Sequence, residues 1–330
     1  MTKRYRTTKV SALFLALLLL LTACGSKPQE PAADKTATPA QQGEQAKERV
    51  VKHALGETKV TGTPQRIVVL DTGELDIALA LGVKPVGAVI AGAESDFPEY
   101  LKGKTDGIQK VGTIGEPNLE AIAALKPDLI LTNTLRHEKI KDKLEQIAPT
   151  VYGKRPNFWK ENLKIYAEAL GKADQGNQLM ADYGKRIKEF QAAMGDKLST
   201  TKVSLIRSFP DHARIYLNES FAGSVLVDVG LGRPKSQDKV SKDPANPAVF
   251  EKVTEERIPD MDGDIILAFY YGREKGDSLA KFFKNPLWAQ LNAVKKNKVI
   301  EVNDGHWALG LGPVAANLII DDLFKYVAAK

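Results

Sequence analysis

Cysteine is almost missing from this chain: 330 residues contain one, Cys24. No intrachain disulfide can form, and the body of the protein has no thiolate for catalysis or metal binding. Histidine is scarce too. His53, His137, His212 and His306 stand singly, without the paired spacing of a metal site. There is no Walker loop and no G-x-S-x-G, and no nucleophile–base pair can be assembled from the sequence. Gly310–Ala315 reads GLGPVA and formally fits G-x-G-x-x-A. It stands well after the strand KVIEV, and too near the end of the chain for a ribose-binding acid to follow. A dinucleotide site is therefore excluded, and the protein is not expected to be an enzyme.

Acid is absent from the first 23 residues, where four Lys/Arg precede the apolar run VSALFLALLLLL. A basic flank, a short apolar core and small residues before the cut make a secretory signal, too short to span a bilayer comfortably. Leu21-Thr22-Ala23-Cys24 resembles the lipobox of bacterial lipoproteins. That resemblance implies cleavage before Cys24, acylation of its thiol and lipid anchoring of the mature chain. Without residues 1–23 the formal charge falls from +6 to +2, so the high pI is no argument for a nucleic-acid partner.

Residues 24–48, rich in Pro, Ala, Gln and charge, read as a flexible tether. Residues 49–170 alternate short Val/Ile/Leu strands with helices, as in QRIVVLD, TGELDIALALG, NLEAIAALK and PDLILTN, which predicts an α/β lobe with a mainly parallel sheet. Proline is lacking between Pro156 and Pro210, and Leu179, Tyr183, Ile187, Phe190 and Met194 recur at helical spacing. The spacing predicts one long helix over 172–193, within a connecting segment 171–196. The alternation resumes over 197–330 and ends in a helix with Pro313 near its first turn. The expected fold is two Rossmann-like lobes joined by one long helix.

RIVVLDTGELDIALALGVKPVGAV, VGTIGEPNLEAIAALKPDLILTN, FAGSVLVDVGLGRP and the lipobox together resemble the substrate-binding lipoproteins of iron–siderophore ABC importers. This is the helix-linked class III of periplasmic binding proteins, which also holds cobalamin and haem binders. The resemblance covers nearly all of residues 49–330. It implies a monomer that captures a ferric siderophore between its lobes, with iron held by the siderophore and no cofactor. The partners it implies are the transmembrane permease subunits and, through them, an ATPase. It also implies an extracytoplasmic, membrane-anchored location, and the long tether suits a Gram-positive surface. One acid per lobe would dock on the permease: Glu120 in NLEAIAALKPDLI and Glu256 in VTEERIPDMDGDII, with Glu116 and Glu255 as neighbouring alternatives.

A compact anionic complex calls for guanidinium forks and flat aromatic walls. Loops after the predicted strands supply Thr72, Glu74, Thr113, Asn133 and Arg136, with Phe158 and Trp159 before the long helix. The second lobe supplies Arg207, His212, Arg214, Tyr216, Tyr270, Tyr271, Arg273, Asp304, His306 and Trp307. This density of Arg leans toward a carboxylate or citrate-hydroxamate siderophore, although a catecholate could use the same charges. Haem, with Tyr270, Tyr271, His212 or His306 as axial ligand, or cobalamin is the alternative within the class. A lipid-anchored cell-wall hydrolase is the alternative outside it.

Overall fold

A computed structural model describes residues 48–92, 94–245, 247–271 and 283–328. The signal, Cys24, the tether and Arg273 lie outside these residues. Gln45–Lys330 pack as one unit. It opens with a hairpin of β1 (Glu48–His53) and β2 (Gly56–Thr61). The first large sheet holds β3 (Ile67–Val69), β4 (Gly87–Ile90), β5 (Gln109–Thr113), β6 (Leu129–Asn133) and β7 (Thr150–Gly153). Its order is β5-β4-β3-β6-β7 and every pairing is parallel. Ile67–Val69 and Leu129–Leu131 are buried throughout, as expected where helices cover both faces of a parallel sheet. The strand order reverses at β3, so the ends of β3 and β6 flank a topological switch point.

The second sheet holds β8 (Val203–Ser208), β9 (Ala213–Tyr216), β10 (Phe250–Val253), β11 (Ile265–Tyr270) and β12 (Val299–Glu301) in the order β10-β9-β8-β11-β12. β8, β11 and β12 run parallel, whereas β9 and β10 add an antiparallel edge. Interleaved with the strands of the first sheet are α1 (Thr72–Ala80), α2 (Leu119–Ala124), α3 (Thr134–His137) and α4 (Lys141–Glu145); α5 (Trp159–Ala169) and α6 (Ala173–Met194) follow it, and α7 (Phe221–Asp228) comes after β9 in the second lobe. α6 is the long helix of the sequence pattern, and it buries Gly176, Tyr183, Phe190 and Met194 along one stripe. The two acid-bearing corners differ in build. Asn118 caps α2 through the Ala121 amide, while Glu255–Met261 forms a 3-10 turn around Pro259.

The C-terminal helix Pro313–Leu323 belongs to the second lobe, but its first turn is held by the first. Asp76 of α1 accepts hydrogen bonds from the amides of Val314 (2.9 Å) and Ala315 (3.0 Å) and from the Tyr100 hydroxyl (2.8 Å). The approach is tight. A Cβ at Gly312 would stand 2.4 Å from Asp76 Oδ1, and one at Gly73 would stand 3.0 Å from the Leu311 carbonyl. Met180 of α6 and Tyr100 pack against the cores of both lobes. Among the described residues no helix is long and apolar enough to cross a membrane.

Candidate functional site

The parallel strands of both lobes point their C-terminal ends at one cleft. A cavity of about 310 Å³ there is lined by Arg136, Arg155, Arg207 and Arg214, with Asp71 and Thr72. Its apolar wall comes from Ile114, Phe221, Phe250, Trp307, Leu309 and Leu311, with Tyr216 beside them. A second cavity of about 260 Å³ adjoins it, sharing Ile114, Arg136, Arg207 and Leu309 and adding Glu94 and Tyr271.

Three of the four arginines, Arg136, Arg207 and Arg214, are held from behind through their Nε. Arg136 follows β6, and its Nε donates to Asp71 Oδ2 at 3.0 Å. Asp71 is buried at the end of β3, where Oδ1 also caps α1 through the Thr72 amide. Behind it, Asn133 Nδ2 bridges Asp71 and Glu74 at 3.1 Å each. Arg207 ends β8 and forms a two-pronged pair with Asp304, both distances 2.6 Å. Burial pushes the Asp304 carboxyl up from its ordinary range, although Arg207 opposes the shift.

Arg214 is the direct cross-strand partner of Arg207, and Lys252 is the partner of Arg214 on the other side. Cross-strand partners share a face of the sheet, so three cations stand in one row on adjacent strands. Such like-charge neighbours are destabilising by themselves. Arg214 lies 4.0 Å from the ring centres of both Phe209 and Phe250, which favours the cation by about 0.5–2 kcal/mol per contact. Asp304 offsets Arg207, but rings do not cancel charge, so Arg214 and Lys252 leave the row with positive charge that suits an anion.

Burial, followed by the Asp71 charge, pushes Glu74 up to about 7. The hydrogen-bond geometry is compatible with a proton on Glu74. The Tyr166 hydroxyl is 2.6 Å from Glu74 Oε1 and also 2.6 Å from the Thr132 carbonyl oxygen. One hydroxyl proton cannot serve two acceptors this close. A protonated Glu74 can donate to Tyr166 and leave the Tyr166 proton for Thr132, whereas an ionised Glu74 takes that proton itself.

Of the residues anticipated from sequence, Thr72, Arg136, Arg207, Arg214, Tyr216 and Trp307 line the larger cavity and Tyr271 the adjoining one. Trp307 is 1% exposed and ties its indole N–H to Asp322, so it is chiefly a core residue presenting an edge. Tyr270 lines a further recess with Phe97 and Asp304, which shares Glu94 and Leu309 with the adjoining cavity. The structure does not bring Trp159, Thr113 or His306 to this cleft. Trp159 is buried against Tyr183 and Phe221 because the first turn of α5 faces the core. The Thr113 hydroxyl closes its own loop by accepting from the Glu116 amide, and His306 turns to Asp322 at 2.8 Å. His212 stands behind Arg214. Sequence reasoning missed Arg155, Phe250, Leu309 and Leu311. Arg155 follows β7 just as Arg136 follows β6, so reading every loop after a strand would have found it.

Against known proteins, a family model described as periplasmic binding protein matches residues 67–304. The chain is 38% identical over 319 residues, 95% of each sequence, to a probable siderophore-binding lipoprotein, YfiY, of Bacillus subtilis (strain 168). It is 34% identical to the achromobactin-binding periplasmic protein of Dickeya dadantii (strain 3937), covering 79% of this chain and 86% of that one. The crystal structure of Staphylococcus aureus SirA complexed with staphyloferrin B matches with a TM-score of 0.78 at 33% identity, covering 86% of this chain and 99% of that one.

Proposed function

The chain belongs to the periplasmic binding protein family, and on that premise we propose that it captures a ferric siderophore in the arginine-lined cleft and delivers it to an ABC permease. One observation carries the reading: four guanidiniums converge on a single cavity, two of them as direct cross-strand neighbours. Such a cavity repels a bare cation and attracts a complex with surplus negative charge. Iron therefore arrives as cargo with its coordination filled by siderophore oxygens, and the protein needs no cofactor. Carboxylate and citrate-hydroxamate complexes suit the site because planar oxygen pairs match guanidinium forks. The two adjoining cavities, about 310 and 260 Å³, are of the size that holds one small ligand.

The remaining parts of the reading concern delivery. Cys24 carries the lipid that anchors a monomer at the extracytoplasmic face, and residues 24–48 let the body reach the permease. Glu120 at the first turn of α2 and Glu256 in the 3-10 turn are both exposed, one on each lobe, and serve as docking acids.

Tryptophan fluorescence of residues 49–330 titrated with ferric and iron-free siderophores tests the capture. Trp307 edges the cavity, so a ferric citrate-type complex should quench saturably while its iron-free form does so weakly. Arg207→Ala and Arg214→Ala should each weaken binding about tenfold or more. Quenching by haemin or cobalamin alone would replace the siderophore reading, and unchanged affinity in both variants would remove the arginines from it.

A further inference from the structure

We infer that His212 is a positioning residue: with Asp211, Phe209 and Phe250 it fixes Arg214 so that only the Nη1–Nη2 edge of the guanidinium meets the ligand. The inference rests on the proposed capture of an anionic complex in this cleft.

Arg214 Nε donates to His212 Nε2 at 3.0 Å, and His212 Nδ1 is 2.6 Å from Asp211 Oδ1. Nε2 must therefore present its lone pair to Arg214, which places the imidazole proton on Nδ1, directed at the Asp211 carboxylate. Asp211 fixes the tautomer and His212 fixes the arginine. The imidazole is itself immobilised, stacked on Phe209 with ring centres 4.6 Å apart and planes 3° from parallel.

The same ring covers Arg214. An aromatic centre 4.0 Å from the guanidinium carbon is the close contact expected when the flat face of the group stacks on the ring. Phe209 and Phe250 both stand at that distance, and two rings cannot share one face of so small a group. Both faces are covered and the Nε edge is taken by His212. Among the described residues the hydrogen bond to His212 is the one Arg214 makes. What remains is an outward pair of N–H groups, the fork that grips one carboxylate in plane.

This arrangement has a consequence for specificity. Arg214 has no face left on which an aromatic ring of a ligand could stack. It reads a pair of oxygens edge-on, which favours carboxylate-bearing complexes over those that would lay a catechol ring on the cation.

The test uses His212→Gln, whose side-chain oxygen can take the place of Nε2, and His212→Phe, which keeps the stack on Phe209 but offers no acceptor. The first readout needs no ligand: hydrogen exchange of the Arg214 Nε–H resonance, identified by its loss in Arg214→Lys. The second is affinity for ferric citrate. The Gln variant should keep slow exchange and bind within about threefold of the wild type, whereas Phe should exchange and dissociate about tenfold faster or more. Unchanged exchange in the Phe variant overturns the positioning role, and so does a Gln variant as impaired as Phe. If the wild-type protein does not bind ferric citrate, that bears on the proposed ligand, and the exchange data alone decide whether His212 holds Arg214.

Discussion

Glu74 shows how much of the cleft depends on groups that never reach it. It lies one layer behind Arg136, joined through Asn133 and Asp71, and both 2.6 Å contacts of Tyr166 are satisfied when it carries a proton. Burial and the neighbouring Asp71 raise it from the ordinary 4.5 to about 7. Between those values the folded state binds more protons than the unfolded chain. The carboxyl therefore favours folding at acid pH, and that contribution is lost as the pH rises through 7. Glu74→Gln keeps the neutral shape at every pH. Its melting temperature should match the wild type near pH 5 and exceed it by a few degrees at pH 8. Scanning calorimetry at both values checks this, and a difference that does not change with pH would show that Glu74 does not titrate there. The sequence alone placed Glu74 among residues after a strand end, which is correct as position. It could not show burial, because what covers the acid, Tyr166 of α5 and Asn133 after β6, lies 59 and more residues away in the chain.

At the scale of elements, legibility follows the range over which each element is determined. α6 was readable because its apolar stripe repeats within itself, and β3 and β6 because a fully buried strand must be uniformly apolar. β10 was not readable: FEKV is four residues long and exists as a strand only because Ala213–Tyr216 offers it a free edge. The two acid-bearing segments differ for a local reason: Pro259 removes a backbone donor and tightens the second to a 3-10 turn. Least legible was the joint between α1 and the C-terminal helix, where Asp76 and Val314 are 238 residues apart. Asp76 meets the helix where its free N–H groups and dipole favour an anion. Burial nevertheless pushes it up to about 7, with the Val314 and Ala315 amides and Tyr100 pulling the other way. Asp76→Ala leaves three buried donors without their acceptor and should cost about 1–3 kcal/mol. Asp76→Asn, which keeps one carbonyl oxygen, should lose less. Amide exchange of Val314 and Ala315 should accelerate in both variants while the strands of the first sheet stay protected. Unchanged protection at those two amides would mean that the cap contributes nothing to the joint.

For the whole molecule, the joint and α6 act together on the cleft. A hinge between lobes requires a few residues free to change backbone angles. Here the chain crosses through a 22-residue helix, and the lobes are fastened again where Asp76 accepts two hydrogen bonds, from the Val314 and Ala315 amides. Closing the cleft by a large rotation would bend the one and break the other. Small-angle scattering curves recorded with and without a saturating ferric siderophore should therefore nearly superimpose, and a substantial drop in radius of gyration on binding would contradict the rigid joint. Rigidity bears directly on delivery. If the lobes keep their relation, Glu120 and Glu256 keep a fixed separation, and the body can engage two permease subunits at once as a bivalent ligand. Each exposed ion pair is weak, about 0–1 kcal/mol, so orientation rather than strength is what a pair of posts supplies. Single replacement of either acid by Ala should reduce siderophore uptake in cells partially. The double replacement should reduce it far more than the product of the single effects, with siderophore affinity of the purified protein unchanged in all three. Glu116→Ala and Glu255→Ala serve as neighbouring controls that should transport normally. If the double variant transports as well as either single one, the two acids do not act as joined posts, and the permease must orient the protein through some other surface.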